Sequence, residues 1–400
     1  MSLASASAHS PSPRRAPQGA AVGLARPFAR VEVCEALEDA RLPWATLAPE
    51  ASASPYQSFD FARIWFATIG AAERATPMIV VARDDVGQPV ALLPFARRAR
   101  GPLRFAVFLG GKDSNFNLGL FRSGAWSRDD VAALLAAAAA QARPRLDAFL
   151  LCNQPPSWRA LANPLAAGKR QPSPSFAYAS ALPDDFSAWL DARASKEAKK
   201  KMRKKRARLE ATAPLIHGRA IGAAEIDRAL AAFQAERRAR TEAIGAPDPY
   251  VSPVAEEFLA RLARQGALEL HTISHGDRVI AVFGALPGVA RLSGLFIGHD
   301  SDPDIARSSP GEIIVHAVVA DAIARGFGEF DLGVGEARYK DEACEIVEPL
   351  FDSAFSVTWK GRIAAGVFLA ARRAKRSLKR SPRLTALRRR LRQFGRRSAA

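Results

Sequence analysis

The sequence predicts an α/β protein built from two similar halves, each with a mixed sheet. In the second half, three β-rich runs follow one another, at residues 268–274, 279–286 and 289–298, and a helix and a short strand come after them. The first half repeats this order of elements. The three runs predict an antiparallel meander, and the helical crossover places the last strand parallel to its neighbour.

In the first half, the β-rich runs lie at residues 78–82, 90–96 and 105–109, with a turn at Gly87 between the first two. An alanine-rich helix at 131–142 and a buried-looking strand at 146–151 complete the unit, and residues 31–33 are a candidate first strand. The two halves agree in the order of their predicted strands and helices more than in amino-acid identity. The duplication is therefore a prediction from the order of elements.

In the second half, helical patterns over 194–211, 224–240 and 254–265 precede the strands. Pro310 and Gly311 open a further helix that runs to Arg325, Gly326 caps it, and residues 329–332 form a short strand. We predict four segments. They are a disordered leader over 1–28, an N-terminal half over 29–182, a C-terminal half over 183–360 and a basic tail over 361–400.

The net charge of +18 is unevenly distributed. Residues 196–208 carry nine basic residues and one acidic residue, and residues 361–400 carry fourteen basic residues and no acidic one. Outside these segments and the leader, the chain is net acidic. The positive charge therefore lies on these segments. It does not by itself indicate that the folded body is an enzyme that acts on nucleic acid.

Composition also narrows the class and the location of the protein. No run approaches the roughly 20 apolar residues that a membrane span needs, and the Ala-, Ser- and Pro-rich leader lacks the apolar core of a signal peptide. The three cysteines are far apart and form no CxxC motif. This predicts a protein without disulfides that resides in the reducing cytoplasm. The six histidines show no metal-ligand spacing, so we expect no metal site.

The first candidate site is the start of the helix at Pro310. A ligand that carries a pyrophosphate needs backbone N–H donors, and a helix N-terminus supplies them together with the helix dipole. Ser308, Ser309, Pro310 and Gly311 fit that requirement. Serine, proline and glycine are also common at ordinary helix starts, so a plain helix cap is the alternative.

The second candidate site follows the strand at 329–332. Transfer of a group to a hydroxyl or amine needs a base for the proton of the nucleophile and a hydrogen-bond donor for the negative charge that develops. Asp331 and Glu336 are the candidate bases, and Tyr339 and Lys340 are the candidate acids or charge stabilisers. The alternative is a structural turn with a surface ion pair between Glu336 and Lys340.

For two further segments, the sequence is compatible both with ligand binding and with no functional role. The loop GGKDSNFN at 110–117 follows a buried strand and suits contact with a sugar or an amide, although an ordinary polar loop is the simpler interpretation. Arg237, Arg240 and Tyr250 flank a Gly- and Pro-rich segment, where they could hold an anionic group or remain solvated.

Together these motifs make the chain resemble the GNAT-like acetyltransferases of the CelD/BcsL group, which is linked in name to cellulose biosynthesis and related to FemAB-like tandem GNAT proteins. The resemblance covers roughly residues 56–360 and rests on the order of its motifs. They are SPYQS at 54–58, LLPF at 92–95, GGKDSNF at 110–116, RKKRARLE at 203–210, the Pro-Gly helix start and FDLGVGEARYK at 330–340.

The resemblance implies two GNAT-like halves of which the second is catalytic. It implies transfer of an acyl group, acetyl from acetyl-CoA, to a hydroxyl or amine of a cell-envelope or exopolysaccharide acceptor, without a metal. The loop at 307–312 lacks the small residues of the usual GNAT loop in register. Two alternatives therefore stay open: a FemABX-like transferase that uses aminoacyl-tRNA, and a non-catalytic binding protein on a degenerate GNAT pair.

The two basic segments predict partners. The helix at 196–208 repels itself, so an anionic partner such as RNA would stabilise it, although a solvated helix is the default. The tail at 361–400 places Ile363, Val367, Phe368 and Leu369 among arginines at helical spacing, with a break at Pro382. This pattern is typical of a helix that lies on an anionic membrane, and it predicts a cytoplasmic protein that is peripheral on the inner face of the plasma membrane. A disordered basic tail with a fraying helix is the alternative.

Overall fold

The structure, a computed structural model, describes residues 26–49, 53–159, 161–245 and 248–380. Most of the predicted leader and the second half of the predicted tail, residues 381–400 with Pro382, lie outside the described residues.

The strands and helices are given in chain order. The strands are β1 (Arg30–Cys34), β2 (Thr76–Arg83), β3 (Pro89–Arg100), β4 (Leu103–Phe108), β5 (Leu120–Phe121), β6 (Ala148–Gln154), β7 (Ser157–Trp158), β8 (Leu161–Ala162), β9 (Arg170–Pro172), β10 (Ala177–Ala181), β11 (Leu215–Arg219), β12 (Glu269–His275), β13 (Arg278–Pro287), β14 (Arg291–His299), β15 (Glu329–Val334), β16 (Ile346–Glu348) and β17 (Phe351–Ser356). The helices are α1 (Arg41–Leu47), α2 (Phe59–Trp65), α3 (Arg128–Gln141), α4 (Phe186–Asp191), α5 (Lys196–Glu210), α6 (Gly222–Ile244), α7 (Pro253–Arg264), α8 (Pro303–Ala306), α9 (Pro310–Ala324), α10 (Arg338–Ala343) and α11 (Trp359–Arg380).

Two large mixed sheets form the framework. The first has the order β1-β2-β3-β4-β6-β17-β9, with β5 beside β3, and the second has the order β11-β12-β13-β14-β15-β10-β16. Each contains one parallel pair, β4 with β6 in the first and β14 with β15 in the second. In each case a helix, α3 or α9, makes the crossover. The predicted mixed α/β fold with a repeated order of elements is confirmed.

The two sheets exchange strands across the predicted boundary at residue 182. Strand β10 precedes that boundary and pairs with β15 and β16 in the second sheet. Strand β17 comes near the end of the second half and pairs with β6 and β9 in the first sheet. The exchange ties the halves together through backbone hydrogen bonds. The division of the chain at 182 and 183 stays a prediction.

A shared core lies between the halves. Trp44, Tyr56 and Phe61 of the first half belong to the same buried cluster as Phe258 and Phe296 of the second. The rings of Phe61 and Phe258 meet edge to face with their centroids 5.6 Å apart. The two halves therefore pack on each other through one continuous apolar surface.

Local sequence explains how the helices that border the cleft begin. Ser195 caps α5 by accepting a hydrogen bond from the backbone N–H of Ala198. Only Leu209 of α5 is buried, so the helix presents its basic residues to solvent and to the cleft. Helix α9 begins at a proline, and its buried residues, which include Ile314, Val318 and Val319, pack against the second sheet.

The basic tail begins as a helix that belongs to the folded body. In α11, Ala365 and Phe368 pack on Ala148 and Leu150 of the first sheet. Among the described residues, no helix combines the length and the apolar character that crossing a membrane requires.

Candidate functional site

A cleft of about 1260 Å³ opens where the two halves meet. The first half contributes Lys112, Ser114, Asn115 and Asn153 to its wall. The second half contributes residues of α5, α6, β14 and the start of α9, together with the segment from Val334 to Lys340. Both predicted site segments therefore open into one space.

The cleft exists because two parallel strands diverge. Strands β14 and β15 pair only from Arg291 with Glu329 to Ser293 with Asp331. Strand β14 also carries a bulge, since Gly284 pairs with Phe296 and Ala285 pairs with Gly294, which leaves Leu295 without a partner on β13. Beyond this point, backbone groups of both strands face the cleft instead of each other.

Asn115 of the first half fills the point of divergence. Its amide Nδ2 donates to the carbonyl oxygen of Gly294 on β14 at 3.0 Å and to the hydroxyl of Tyr56 at 2.7 Å. Its Oδ1 accepts from the backbone N–H of Val334 on β15 at 3.1 Å. Gly333 has φ +67°, and a Cβ there would overlap the Asn115 amide. The loop at 110–117 therefore stabilises the splayed strands, a role that neither the ordinary polar loop nor the sugar or amide contact considered from the sequence includes.

The start of α9 forms one end of the cleft. Ser309 and Gly311 line it, whereas the fully buried Ser308 and the buried Pro310 do not. Lys205 of α5 crosses to this helix end, where its Nζ donates to Glu312 Oε2 at 2.7 Å and to Ser309 Oγ at 2.9 Å. A cation, a carboxylate and a backbone N–H group therefore meet at the predicted pyrophosphate site.

Lys340 belongs to the other wall of the cleft and is buried. Its Nζ donates to the carbonyl oxygens of Leu332 at 2.6 Å and of Gly333 and Val334 at 3.3 Å each. Burial lowers the pKa of Lys340 to about 8, although the nearby Asp331 acts in the opposite direction. The proposed surface ion pair between Glu336 and Lys340 is wrong, because the amine is committed to the end of β15.

Glu336 and Tyr339 face the cleft. Glu336 Oε2 accepts from Lys379 of α11 at 3.3 Å. Burial raises the pKa of Glu336, but hydrogen bonds from the backbone and the charge of Lys379 outweigh burial and hold this pKa below its usual range. Burial raises the pKa of the Tyr339 phenol, which stays protonated at neutral pH.

Asp331 lies underneath the cleft, fully buried, and is not part of its lining. Its Oδ2 accepts from Ser293 Oγ at 2.6 Å, its Oδ1 accepts from the N–H of Gly333 at 2.9 Å, and Arg291 is 4.0 Å away. Burial raises the pKa of Asp331 to about 7, against the influence of Arg291. Its position fits the support of β14 and β15 better than contact with a substrate.

The raised pKa of Asp331 predicts a pH-dependent stability. An unfolded aspartate has a pKa near 3.9, so between about pH 4 and pH 7 the folded protein binds more protons at this group. Its contribution to the free energy of unfolding should fall with rising pH in that window, by up to ~1.4 kcal/mol per pH unit. Urea denaturation at several pH values measures this slope.

The matched variant is Asp331→Asn. It removes the titration; its Oδ1 can still accept from the N–H of Gly333, and its Nδ2 can donate to the hydroxyl of Ser293. The difference between wild type and variant isolates Asp331 from His217 and His316, whose pKa values burial lowers and whose contribution runs the other way. Equal slopes in the two proteins would assign the pH dependence to other groups.

The sequence analysis predicted only some of the other residues that line the cleft. Arg237, Arg240 and Tyr250 do line the cleft, and the Tyr250 hydroxyl donates to the carbonyl oxygen of the bulge residue Leu295 at 3.1 Å. Lys205, which lines the cleft, and Arg291, which lies near the buried Asp331, were not singled out from the sequence, since no local pattern marks one basic residue among many. Within the described ranges, no group of His, Cys, Asp or Glu side chains is arranged to hold a metal ion.

Comparison with known proteins identifies the fold. Residues 196–341, from the start of α5 into α10, match the family described as acetyltransferase (GNAT) domain. The crystal structure of FemX aligns over 81% of this chain and 97% of its own, with a TM-score of 0.54 and 9% identity. The chain therefore has the fold of two GNAT-like halves, and the family match lies within the second half.

A conserved protein of unknown function from Bacteroides thetaiotaomicron VPI-5482 shows the same likeness. It aligns over 81% of this chain and 99% of its own, with a TM-score of 0.52 and 11% identity. No curated protein matches the chain by sequence. At such low identity the likeness concerns the fold, and the narrower resemblance to the CelD/BcsL group stays a prediction.

Proposed function

We propose that this tandem GNAT-like protein is an acyltransferase that moves acetyl from acetyl-CoA to a hydroxyl or amine. The divergence of β14 and β15 is the observation that carries the proposal. It opens a cleft of about 1260 Å³ with a helix N-terminus at one end and a carboxylate and a phenol along its wall. GNAT folds generally bind acyl-CoA, and this arrangement supplies what such a donor and its acceptor need.

The donor end of the cleft is the start of α9. Pro310 has no backbone N–H, and those of Glu312 and Ile313 donate to the carbonyl oxygen of Ser309. The N–H of Gly311 is therefore the backbone donor that this helix start offers, and the helix dipole favours an anion there. Lys205 adds a positive charge beside Ser309 and Gly311. We place the pyrophosphate of the donor here, with the thioester toward the bulge at Leu295.

The proton transfers are assigned to the opposite wall. Glu336 stays ionised at neutral pH and takes the proton of the attacking hydroxyl or amine. The nucleophile then forms a bond to the thioester carbon, the carbon–sulfur bond breaks, and Tyr339 gives its proton to the leaving thiolate. Lys340 and Asp331 hold the end of β15 in place, so they are positioning residues in this scheme.

The acceptor proposed is a sugar- or amine-containing component of the cell envelope or of an exopolysaccharide, handled in the cytoplasm. The resemblance to the CelD/BcsL group supports it, and the width of the cleft is compatible with it. Lys201, Arg237 and Arg240 also line the cleft, so an acceptor with an anionic group would be favoured over a neutral one.

Isothermal titration of acetyl-CoA into the full chain tests the donor. Lys205→Met should weaken binding roughly ten-fold, because it removes the cation at the helix end. Glu312→Gln should strengthen binding roughly three- to ten-fold, because the carboxylate that repels phosphate is neutralised. We expect these opposite changes in affinity if an anionic group of the donor lies at the start of α9.

A matched pair at Gly311 separates charge from bulk. Gly311→Glu should abolish binding, whereas Gly311→Ala should retain it, because the added Cβ meets only the side chain of the exposed His299, at 2.9 Å from Cδ2. If the unaltered chain does not bind acetyl-CoA, the donor assignment is wrong.

The second candidate is a transferase that uses aminoacyl-tRNA, as FemABX-like relatives do. Two observations favour it. Glu312 places a carboxylate at the proposed pyrophosphate site, and α5 presents Lys201 and Lys205 to the same cleft with only Leu209 buried. Binding of tRNA that Lys201→Met and Lys205→Met together weaken, without any binding of acetyl-CoA, would decide for this alternative.

A further inference from the structure

The outward face of α11 carries an apolar stripe. Trp359, Ile363 and Val367 are spaced four residues apart and are 69%, 60% and 64% exposed. The same face continues through small residues, all of them exposed, which are Gly366, Ala370 and Ala374. From Trp359 to Ala374 the stripe extends for about 22 Å along the helix. A run of exposed aromatic and aliphatic side chains is unusual on a protein surface.

The opposite face of α11 is fixed to the folded body. Gly361 packs directly on the backbone of Asp147, and Ala365 and Phe368 pack on the first sheet. Arg372 forms a bidentate salt bridge with the buried Asp352, with its Nε 2.6 Å from Oδ2 and its Nη2 2.8 Å from Oδ1. The helix therefore cannot roll to bury the stripe, and no described element covers it.

The charges beside the stripe all have one sign. Helix α11 contains eight basic residues and no acidic one. At helical spacing, Lys360 borders one edge of the stripe, and Arg362, Arg373 and Arg380 border the other. An apolar stripe between cations matches an anionic bilayer surface, where apolar side chains enter the acyl boundary and Lys and Arg reach the phosphates.

We propose that α11 docks the protein on an anionic lipid surface, with Trp359, Ile363 and Val367 inserted at the interface. Tryptophan and aliphatic side chains favour lipid over RNA, since RNA would leave the stripe exposed. The last turn of α11 reaches the lip of the cleft, where Lys379 bonds to Glu336. Docking thus brings the mouth of the cleft close to the membrane, which goes beyond the proposed transfer reaction.

Vesicle flotation of the full chain tests the proposal. The probes are vesicles of phosphatidylcholine with phosphatidylglycerol and vesicles of phosphatidylcholine alone. The triple variant Trp359→Ser, Ile363→Ser, Val367→Ser should bind the anionic vesicles at least roughly ten-fold more weakly than wild type. The matched control Leu42→Ser, Val86→Ser, Val289→Ser removes three equally exposed apolar side chains elsewhere and should bind like wild type.

Fluorescence gives a second readout. Trp359 is exposed, whereas Trp44, Trp65, Trp158 and Trp189 are buried. Anionic vesicles should shift the emission of wild type to the blue, and Trp359→Phe should lose most of the shift while retaining flotation. A shift that persists in this variant would contradict insertion of the stripe.

Three other outcomes would overturn the proposal. They are equal flotation of the stripe variant and wild type, equal binding to neutral vesicles, and binding of RNA in place of vesicles. Residues 381–400 of this chain are the rival occupant of the stripe. In that case the triple serine variant would lower the melting temperature without lipid, whereas docking on lipid predicts no loss.

Discussion

Replacing Arg291 by alanine is expected to lower the free energy of unfolding by about 3–5 kcal/mol. The guanidinium is bidentate to Glu348, with Nη1 and Nη2 at 3.0 and 2.8 Å from the carboxylate oxygens, and its Nε donates to Glu329 at 2.6 Å. It also lies over the ring of Trp158, 4.4 Å from the centroid. Removing it takes away the cation that lies 4.0 Å from the buried Asp331 and a link between the halves.

Urea denaturation at pH 7.5 measures this effect, and Arg338→Ala is the matched control. Arg338 is 93% exposed and pairs with Glu342 one helical turn away, so its loss should change stability by less than about 0.5 kcal/mol. Arg291→Lys should fall between the two, because an ammonium cannot make the bidentate contact. A loss below about 1 kcal/mol in Arg291→Ala would show that the network adds little.

The second large effect is expected for Gly361→Ala in α11. A Cβ at this position would overlap the carbonyl oxygen of Asp147, and a backbone atom cannot move aside as a side-chain end can. The helix must shift away from the sheet, and we expect a loss of about 1–3 kcal/mol despite the better helix propensity of alanine.

Gly366→Ala in the same helix is the control with the opposite sign. Nothing lies within 4 Å of a Cβ there, so the substitution should stabilise the protein by about 0.5–1 kcal/mol. Thermal and urea denaturation of both variants measure the difference. If the two substitutions had the same effect, the close contact of α11 with Asp147 would be wrong.

Much of the local structure is determined by the sequence. The β-rich runs, the basic helix that follows Ser195 and the helix that begins at Pro310 lie where residue pattern and capping predict them. The repeated order of elements also predicts the mixed fold in both halves. Each of these signals is contained within about twenty residues, so no knowledge of distant contacts is needed.

The candidate site is predicted by the sequence only in part. The sequence marks Ser309, Gly311, Glu336 and Tyr339, and the structure brings them into one cleft. It does not show that Lys340 binds three carbonyl oxygens in the wall of the cleft or that Asp331 is buried beneath it. Nor does it show the partner of Glu336, since Lys379 follows 43 residues later.

The sequence by itself therefore predicted the meander strands, the main helices and the fold class of this protein, but not strands β10, β11, β16 and β17. The tertiary structure decided the exchange of β10 and β17 between the sheets, the insertion of Asn115 between β14 and β15, and the exposed stripe of α11. The physical reason is the range of the interactions. Capping and periodicity act between neighbours in the chain, whereas these features depend on which distant surfaces exclude water from each other.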